Sequence, residues 1–322
     1  MTNKQIYSKT LGFSIRKLVI DVLTFLLVAG LCVLGFFIMD KTTNYGILGI
    51  FIGLIVGLIL VSIISRFVKY SLTAGQIAMM TRGVTEGQLP QDVYKEGKKA
   101  VKERFATVAA LFAVTSVIKS IFRQIGRAIT NIGNAVGGDA GNAVGSAVSS
   151  AVNTLVSYLC DCCLGWVFFR KDVNSAKATC EGAVLFFKHG KTLAKNAGRI
   201  FGFGLLSLVL IGGAFFGIAF LILSAMSNLV ATLAAEIAEA ATRLDLNVSN
   251  VLTNPSTLSL IIAAIAGLIM WGIIHSTFIR PFILTGVLRN YMESGMNDIP
   301  SESELAQLDS KSAKFANLRS QI

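Results

Sequence analysis

Charged residues, histidine and cysteine are all scarce in this chain. Only 15% of its 322 residues are charged while 53% are hydrophobic, whereas soluble domains carry roughly 25% charged residues. Five cysteines give no support for a disulfide framework, and with two histidines they leave few candidate metal ligands. The composition excludes an ordinary soluble domain and favours lipid as the solvent.

Motifs of catalysis are also missing. No His-Glu-x-x-His or Gly-x-Ser-x-Gly pattern occurs, and Gly190-Lys191-Thr192 lacks the first glycine of a phosphate-binding loop because Leu185 stands in its place. We therefore expect no enzyme activity, no catalytic residues and no cofactor.

Long apolar runs are the dominant feature that is present. A helix of about 20 apolar residues crosses a hydrocarbon core of about 30 Å. We predict an all-α, polytopic membrane bundle of about six spans with amphipathic interfacial helices. Residues 1–295 would form one transmembrane domain and 296–322 a polar cytoplasmic tail. Four clear runs cover residues 18–39, 46–67, 200–226 and 258–279, and two less uniform runs cover 105–118 and 144–169.

The net charge of +11 is unevenly distributed. Of the 29 basic residues, 24 fall in four segments that alternate with the predicted spans. Because basic residues accumulate in cytoplasmic loops, both termini are expected in the cytoplasm, with the cell membrane as the expected location. Basic segments beside spans attract anionic lipid, so membrane lipids, rather than nucleic acid, are the expected partners.

The region 105–169 allows two topologies. Lys119, Arg123 and Arg127 recur every four residues and place basic charge on one helix face. Either this helix extends a third span beyond the membrane, or residues 105–132 lie along the cytoplasmic interface and 133–169 enter and leave on one side. The two termini share one side of the membrane in both cases.

Glycines four residues apart form the clearest local pattern. Such spacing creates a flat helix face on which a second backbone approaches closely. The face serves tight helix packing or, alternatively, a moving or pore-lining interface, and packing is the commoner use. The glycines assigned to packing are Gly49, Gly53, Gly57, Gly133, Gly137, Gly141 and Gly145, with Gly198, Gly202, Gly213 and Gly217 repeating the spacing later.

Two ionisable residues within the spans are candidates for binding a transported solute, because charge in a bilayer is costly and marks function. Asp161 could neutralise a cationic substrate or carry a proton, or it could pair with Arg170 or Lys171. His275 could act as a proton-linked switch or pack as a neutral ring. A third such residue, Asp21, is expected to be neutralised by Arg16 or Lys17.

Three cysteines flank Asp161 in the stretch Cys160-Asp161-Cys162-Cys163. Adjacent residues on a helix point about 100° apart, so these thiols cannot all face one ion. We therefore predict small packing residues or sites of reversible acylation, and no metal site.

From about residue 105 onward the chain resembles the C-terminal half of the choline transporter-like family. The resemblance rests on the order of Cys160-Asp161-Cys162-Cys163, then Asn174-Ser175-Ala176-Lys177, then Gly212-Gly213-Ala214-Phe215-Phe216, and a last span with His275 and Phe278. It implies a polytopic fold and membrane transport, and it transfers no binding residue.

Three functions follow from these patterns. The first is transport of a small solute or lipid. The second is a non-transporting scaffold or subunit of a larger membrane complex, as a homo- or hetero-oligomer. The third is a protein that shapes or organises the membrane through its interfacial helices.

Overall fold

The computed structural model describes residues 1–43, 46–105, 113–121, 141–243, 250–309 and 312–320, and the regular structure in these ranges is helical throughout. The chain divides into two compact units by its internal contacts. Unit 1 comprises Met1–Ser14, Tyr70–Phe201 and Arg280–Ile322, and unit 2 comprises Ile15–Lys69 and Gly202–Ile279. The predicted all-α class is confirmed for the described residues.

Unit 2 is built from long apolar helices in which some turns are π-helical. The helices are α1 (Asn3–Thr43), whose first residues belong to unit 1, α2 (Gly46–Ile64), the end of α7 (Gly190–Ser207), α8 (Gly213–Ala225), α9 (Ser227–Arg243), α10 (Asn250–Thr253) and α11 (Pro255–Ile274). The π turns are π1 (Ser65–Lys69), π2 (Leu208–Gly212) and π3 (His275–Ile279). Asn254 caps α11 by accepting from the main-chain N–H groups of Ser256 and Thr257, and Pro255 opens its first turn.

Four continuous helices are long and apolar enough to cross a membrane. They cover Asn3–Thr43, Leu48–Thr85, Gly198–Ala225 and Pro255–Met296. Only 6% to 22% of the most apolar stretch of each is buried inside the protein. Protein contacts therefore leave most of these side chains uncovered, as expected for helices that face lipid.

Close backbone approach holds the first two of these helices together. A Cβ at Gly49 would collide with the main chain of Gly35, and one at Gly53 would collide with the carbonyl of Leu31. Gly57 faces the side chain of Val28. This geometry requires the absence of a side chain at Gly49 and Gly53.

Helix α9 is amphipathic. Val230 and Ala234 are buried against Leu258 of α11, with Leu233 and Ile237 packed beside them. Leu229 lies on a different face of α9 and is exposed.

Unit 1 has shorter helices and a largely apolar core. Besides the first turns of α1, it contains α3 (Tyr70–Thr85), α4 (Val93–Arg104), a helical stretch at 113–121, α5 (Gly141–Phe169), α6 (Ser175–Lys188), most of α7, α12 (Arg280–Met296), α13 (Glu302–Asp309) and α14 (Ala313–Arg319). Asp92, Asn174 and Ser312 cap α4, α6 and α14. Helices α3, α5, α6 and α12 pack on one another, and the largest fully buried side chains include Trp166, Tyr291 and Phe13.

The last described residues are folded onto α6. Leu305, Leu308 and Phe315 are buried together with Cys180 and Val184. Ion pairs from Lys177 and Lys188 to the carboxylates of Asp298, Glu302 and Glu304 surround this cluster. The segment that we predicted as a polar tail thus contributes apolar side chains to unit 1.

The two less uniform apolar runs, 105–118 and 144–169, are not among the four long apolar helices. Residues 105–118 lie partly outside the described residues. Residues 144–169 fall within α5, whose apolar part, Asn153–Phe169, is shorter than the four helices above. The membrane bundle is thus supported by four helices among the described residues, against the six that we predicted.

Candidate functional site

Asp161 lies on α5 in unit 1 and is paired with Arg280. The Nη2 atom of Arg280 is 2.6 Å from Oδ2 of Asp161 and also donates to the hydroxyl of Ser157 at 2.6 Å. The guanidinium lies 5.3 Å from the ring centroid of Tyr158. Asp161 is buried. Its carboxylate therefore has a cationic partner from α12, while the sequence suggested Arg170 or Lys171.

Arg170 instead pairs with a buried acid that the sequence analysis did not identify. Its Nη1 atom lies 2.9 Å from Oε2 of Glu181, and the indole N–H of Trp166 donates to the same oxygen at 3.1 Å. Burial raises the pKa of Glu181, although the Trp166 hydrogen bond and the charge of Arg170 oppose the shift. Arg170 also binds Asp172, which lowers the pKa of that exposed carboxyl.

His275 begins π3 in unit 2 and stacks on an aromatic ring. Its ring centroid is 5.1 Å from that of Trp271, with 40° between the planes. The indole N–H of Trp271 donates to the hydroxyl of the buried Ser207 at 3.0 Å. His275 therefore lies beside a hydrogen-bonded Trp271–Ser207 pair, which favours the packing interpretation of this histidine.

A polar cluster in unit 2 joins three of the four candidate spans. Asp21 on α1 forms an ion pair with Lys69 of π1, and the hydroxyl of Thr277 in π3 donates to Oδ2 of Asp21 at 3.3 Å. Asp21 and Thr277 are buried. The partner is thus Lys69 from the end of the second apolar run, where the sequence analysis expected Arg16 or Lys17.

The π turns supply two of these three side chains. Lys69 is the last residue of π1, and Thr277 is the third residue of π3. A π turn adds a residue to the helical turn, changes the direction of the side chains that follow and is frequent at functional sites. The apolar pattern of these spans does not predict the π turns. In the sequence, only the charge of Asp21 within a span indicated that a polar cluster lies here.

The cysteines around Asp161 are packing residues in this structure. Cys160, Cys162 and Cys163 are buried, and the thiol of Cys163 lies 3.6 Å from the carbonyl oxygen of Thr179. Acylation would require an accessible sulfur at these positions. Among the described residues, no group of three or more His, Cys, Asp or Glu side chains is arranged to hold a metal ion.

The glycines assigned to helix packing differ in their surroundings. Gly49, Gly53 and Gly57 contact α1, as described above. Gly133 and Gly137 lie outside the described residues, and Gly141 and Gly145 belong to α5. In the later repeat, a Cβ at Gly202, Gly213 or Gly217 would meet no atom within 4 Å.

Two cavities are described, and neither includes the predicted binding residues. One, of about 440 Å³, lies in unit 1, and the other, of about 310 Å³, lies in unit 2 near the start of α9. Asp161 and His275 line neither of them. Comparison of the chain with family models, curated proteins and solved structures found no match.

Proposed function

We propose that this protein is a four-span membrane scaffold that tethers a folded helical unit, unit 1, to the bilayer as a subunit of a larger assembly. The proposal rests on one observation: each of the two buried aspartates, Asp21 and Asp161, is paired with a cation. Asp21 is matched by Lys69 within unit 2, and Asp161 is matched by Arg280 within unit 1. Neither acid is left to receive a cationic solute, and neither Asp161 nor His275 lines a described cavity.

The charge distribution supports an orientation for this scaffold. All but six of the 29 basic residues belong to unit 1. Two segments, 40–45 and 226–254, each connect two of the candidate spans. Their only basic residues are Lys41 and Arg243. By the positive-inside bias, unit 1 and both termini are cytoplasmic and these two connecting segments are external. We propose the cell membrane as the location.

Labelling of an introduced cysteine tests this orientation. Four of the five native cysteines are buried, so in a Cys32→Ser background Lys98→Cys in unit 1 and Lys41→Cys after the first span are treated with a membrane-impermeant maleimide. We expect Lys41→Cys to react in intact cells and Lys98→Cys to react only after permeabilisation. Labelling of Lys98→Cys in intact cells would reverse the orientation.

Purification tests the scaffold itself. The full chain is isolated from native membranes in two mild detergents, and proteoliposomes of the pure protein are assayed for solute and lipid flux. We expect the same stoichiometric partner in both detergents and flux equal to that of empty vesicles. Recovery of the chain alone in both detergents, together with flux above that of empty vesicles, contradicts the proposal.

Transport of a small solute or lipid is the second candidate function. It is favoured by the Asp21–Lys69–Thr277 cluster, because buried charge shared by three candidate spans is a common feature of transport pathways. The resemblance to the choline transporter-like family points the same way. Flux that is abolished by Asp21→Asn and retained in Asp161→Asn would support this candidate over the scaffold.

A further inference from the structure

The smaller cavity, of about 310 Å³, lies in unit 2 where two candidate spans end. Its lining comes from the end of α8, the start of α9 and the start of α11. Helix α8 closes the span Gly198–Ala225, and α11 opens the span Pro255–Met296. Because the ends of spans lie near the boundary between hydrocarbon and water, a molecule here can keep one end in each environment. The volume is within the range of small-molecule sites, about 300–1,000 Å³.

No charged side chain is found among the described residues that line this cavity. Its polar side chains are serines, and its apolar surface includes that of Phe220, Leu223, Val230 and Leu260. Leu223 and Val230 also belong to the apolar cluster that holds α9 against α11. Because charge among membrane spans is costly without a partner, a charged ligand would find no counter-ion on this lining. An uncharged ligand is therefore favoured.

One of the lining serines, Ser259, is buried and has an unused hydroxyl. The residue is only 8% exposed and lies on α11 at the cavity. Its hydroxyl oxygen forms no hydrogen bond among the described residues, and it is not one of the fully enclosed unpartnered atoms. The oxygen therefore keeps accessible surface where the residue lines the cavity. Buried hydroxyls without a partner are rare in folded proteins, so a donor or acceptor in the cavity would complete the hydrogen bonding of Ser259.

Hydroxyls on the neighbouring helix are satisfied locally. Thr232 and Thr242 on α9 donate to the main-chain carbonyl oxygens four residues earlier, at 3.0 and 2.9 Å. This bond to the preceding turn is the ordinary one for a hydroxyl inside a helix. Ser259 does not make it, although the carbonyl of Pro255 lies one turn earlier in α11. The hydroxyl of Ser259 is thus left for a molecule in the cavity.

We propose that this cavity binds an uncharged amphiphile, an alkyl chain or ring that carries a hydroxyl or ester oxygen. The hydroxyl of Ser259 would bond to that oxygen, and Leu223, Val230 and Leu260 would contact the apolar part. The ligand is either a neutral acylglycerol of the bilayer or a soluble alcohol, since both present the same chemistry. This site is independent of the scaffold and transport functions considered above.

Photolabelling of the full chain in phosphatidylcholine nanodiscs tests this proposal. The probes share one alkyl diazirine chain and end in a hydroxyl, a methyl, a carboxylate or an ammonium group. We expect saturable labelling by the alcohol probe, with adducts located by mass spectrometry in residues 220–230 and 255–260. Excess monooleoylglycerol would compete if the source is the bilayer, whereas competition by hexanol alone would assign a soluble alcohol.

Two variants locate the site. Ser259→Ala removes the unpartnered hydroxyl, and Ser224→Phe fills the cavity from an exposed position in the last turn of α8. We expect the half-saturating concentration of the alcohol probe to rise about fivefold in Ser259→Ala, the scale of a hydrogen bond between uncharged groups. Saturable labelling should be lost in Ser224→Phe. The matched controls, Ser276→Ala and Asn228→Phe, change exposed residues outside the lining and should be labelled as the parent is.

Melting temperatures show whether each variant is folded, and a folded Ser259→Ala keeps the test decisive if Ser224→Phe does not fold. Labelling by the methyl-terminated probe should not change in Ser259→Ala, which separates the loss of a hydrogen bond from a change in the shape of the cavity. Equal or higher affinity for the methyl probe, preference for the carboxylate or ammonium probe, or unchanged affinity for the alcohol in Ser259→Ala would each overturn the proposal. So would the absence of saturable labelling by every probe.

Discussion

Large apolar side chains are placed in opposite ways in the two units. In unit 2, Leu221 and Leu205 are 69% and 65% exposed, whereas in unit 1 Trp166 and Tyr291 are almost fully buried. The exposed lysines of α4 lie on the outside of unit 1. Because apolar surface in water is unfavourable, the exposed apolar helices of unit 2 suit a lipid environment, whereas unit 1 buries its largest apolar side chains in its own core.

Glycine allows close contacts in both units. Gly49 and Gly35 in unit 2, and Gly75 and Gly97 in unit 1, let two backbones approach each other directly. In unit 1, Gly165 and Gly295 make room for side chains, with Leu288 against the first and Trp166 against the second. Backbone contact suits helices in lipid, where apolar side chains gain little by leaving the hydrocarbon.

The largest expected effect comes from breaking the charge pair of unit 2. Lys69→Met leaves the buried carboxylate of Asp21 without its cation, and removing one partner of a buried pair costs about 3–5 kcal/mol. We expect this loss in the free energy of unfolding, measured by titrating dodecyl maltoside micelles with SDS.

The double variant Asp21→Leu/Lys69→Met removes both charges and should be more stable than Lys69→Met alone. If the double variant is less stable than both Lys69→Met and Asp21→Leu, the two residues do not act as a pair.

A charged residue on the exposed face of a unit 2 helix tests whether that face contacts lipid. Leu210 is 61% exposed near the middle of the Gly198–Ala225 helix, and a lysine at the centre of a span costs about 2.5–3.5 kcal/mol on insertion scales. We expect Leu210→Lys to reduce the inserted fraction in an in vitro translocation assay.

The matched change in unit 1 is Lys98→Asp, which should alter stability by less than about 0.5 kcal/mol. Normal insertion of Leu210→Lys would mean that this helix face does not contact lipid.

A smaller effect is expected from a methyl group at the backbone contact. Gly49→Ala directs a Cβ into the main chain of Gly35, and overpacking of this kind costs about 1–3 kcal/mol. The same SDS titration measures it. Gly213→Ala is the control, because no atom lies within 4 Å of its Cβ position, and its stability should equal or exceed that of the parent.

The smallest effect concerns pH and the helices that pack on α6. The hydrogen bond from Lys188, with those from Ser301, lowers the pKa of Glu304 from 4.5 to about 2. Since the folded pKa is lower than the unfolded one, this carboxylate stabilises α13 above about pH 4.5. The stabilisation is lost as the pH falls from 4.5 to about 2.

Amide exchange of residues 302–309, corrected for the intrinsic rate, should therefore accelerate at acid pH. Lys188→Gln should accelerate it already at neutral pH, whereas Lys171→Gln, which changes a lysine outside the ion pairs that surround α13, should not. Exchange that is insensitive to pH would show that the ion pairs contribute nothing to docking.

Several features could be predicted from residues alone. The apolar runs beginning at residues 18, 46, 200 and 258 correspond to the four long helices, because a span needs only length and hydropathy. Residues 144–169 are not among these four helices, and the apolar side chains around Trp166 at the end of α5 are buried in the core of unit 1. Hydropathy reports that a segment avoids water and does not report whether lipid or protein covers it.

The partners of the charged residues could not be predicted. Asp21 and Asp161 were recognisable as costly in a membrane, yet their cations, Lys69 and Arg280, lie 48 and 119 positions away in the chain. Local spacing pointed to Arg16 or Lys17 and to Arg170 or Lys171, since it reports only on neighbours within one helix.

The sequence by itself determined that the chain is helical and that four segments are apolar enough to cross a bilayer, because both properties follow from local composition. Only the tertiary structure decided which apolar helices are covered by protein, which charges neutralise one another, and where a cavity remains. Those outcomes depend on contacts between residues far apart in the chain, and the π turns that bring Lys69 and Thr277 to Asp21 leave no mark in the pattern of residues.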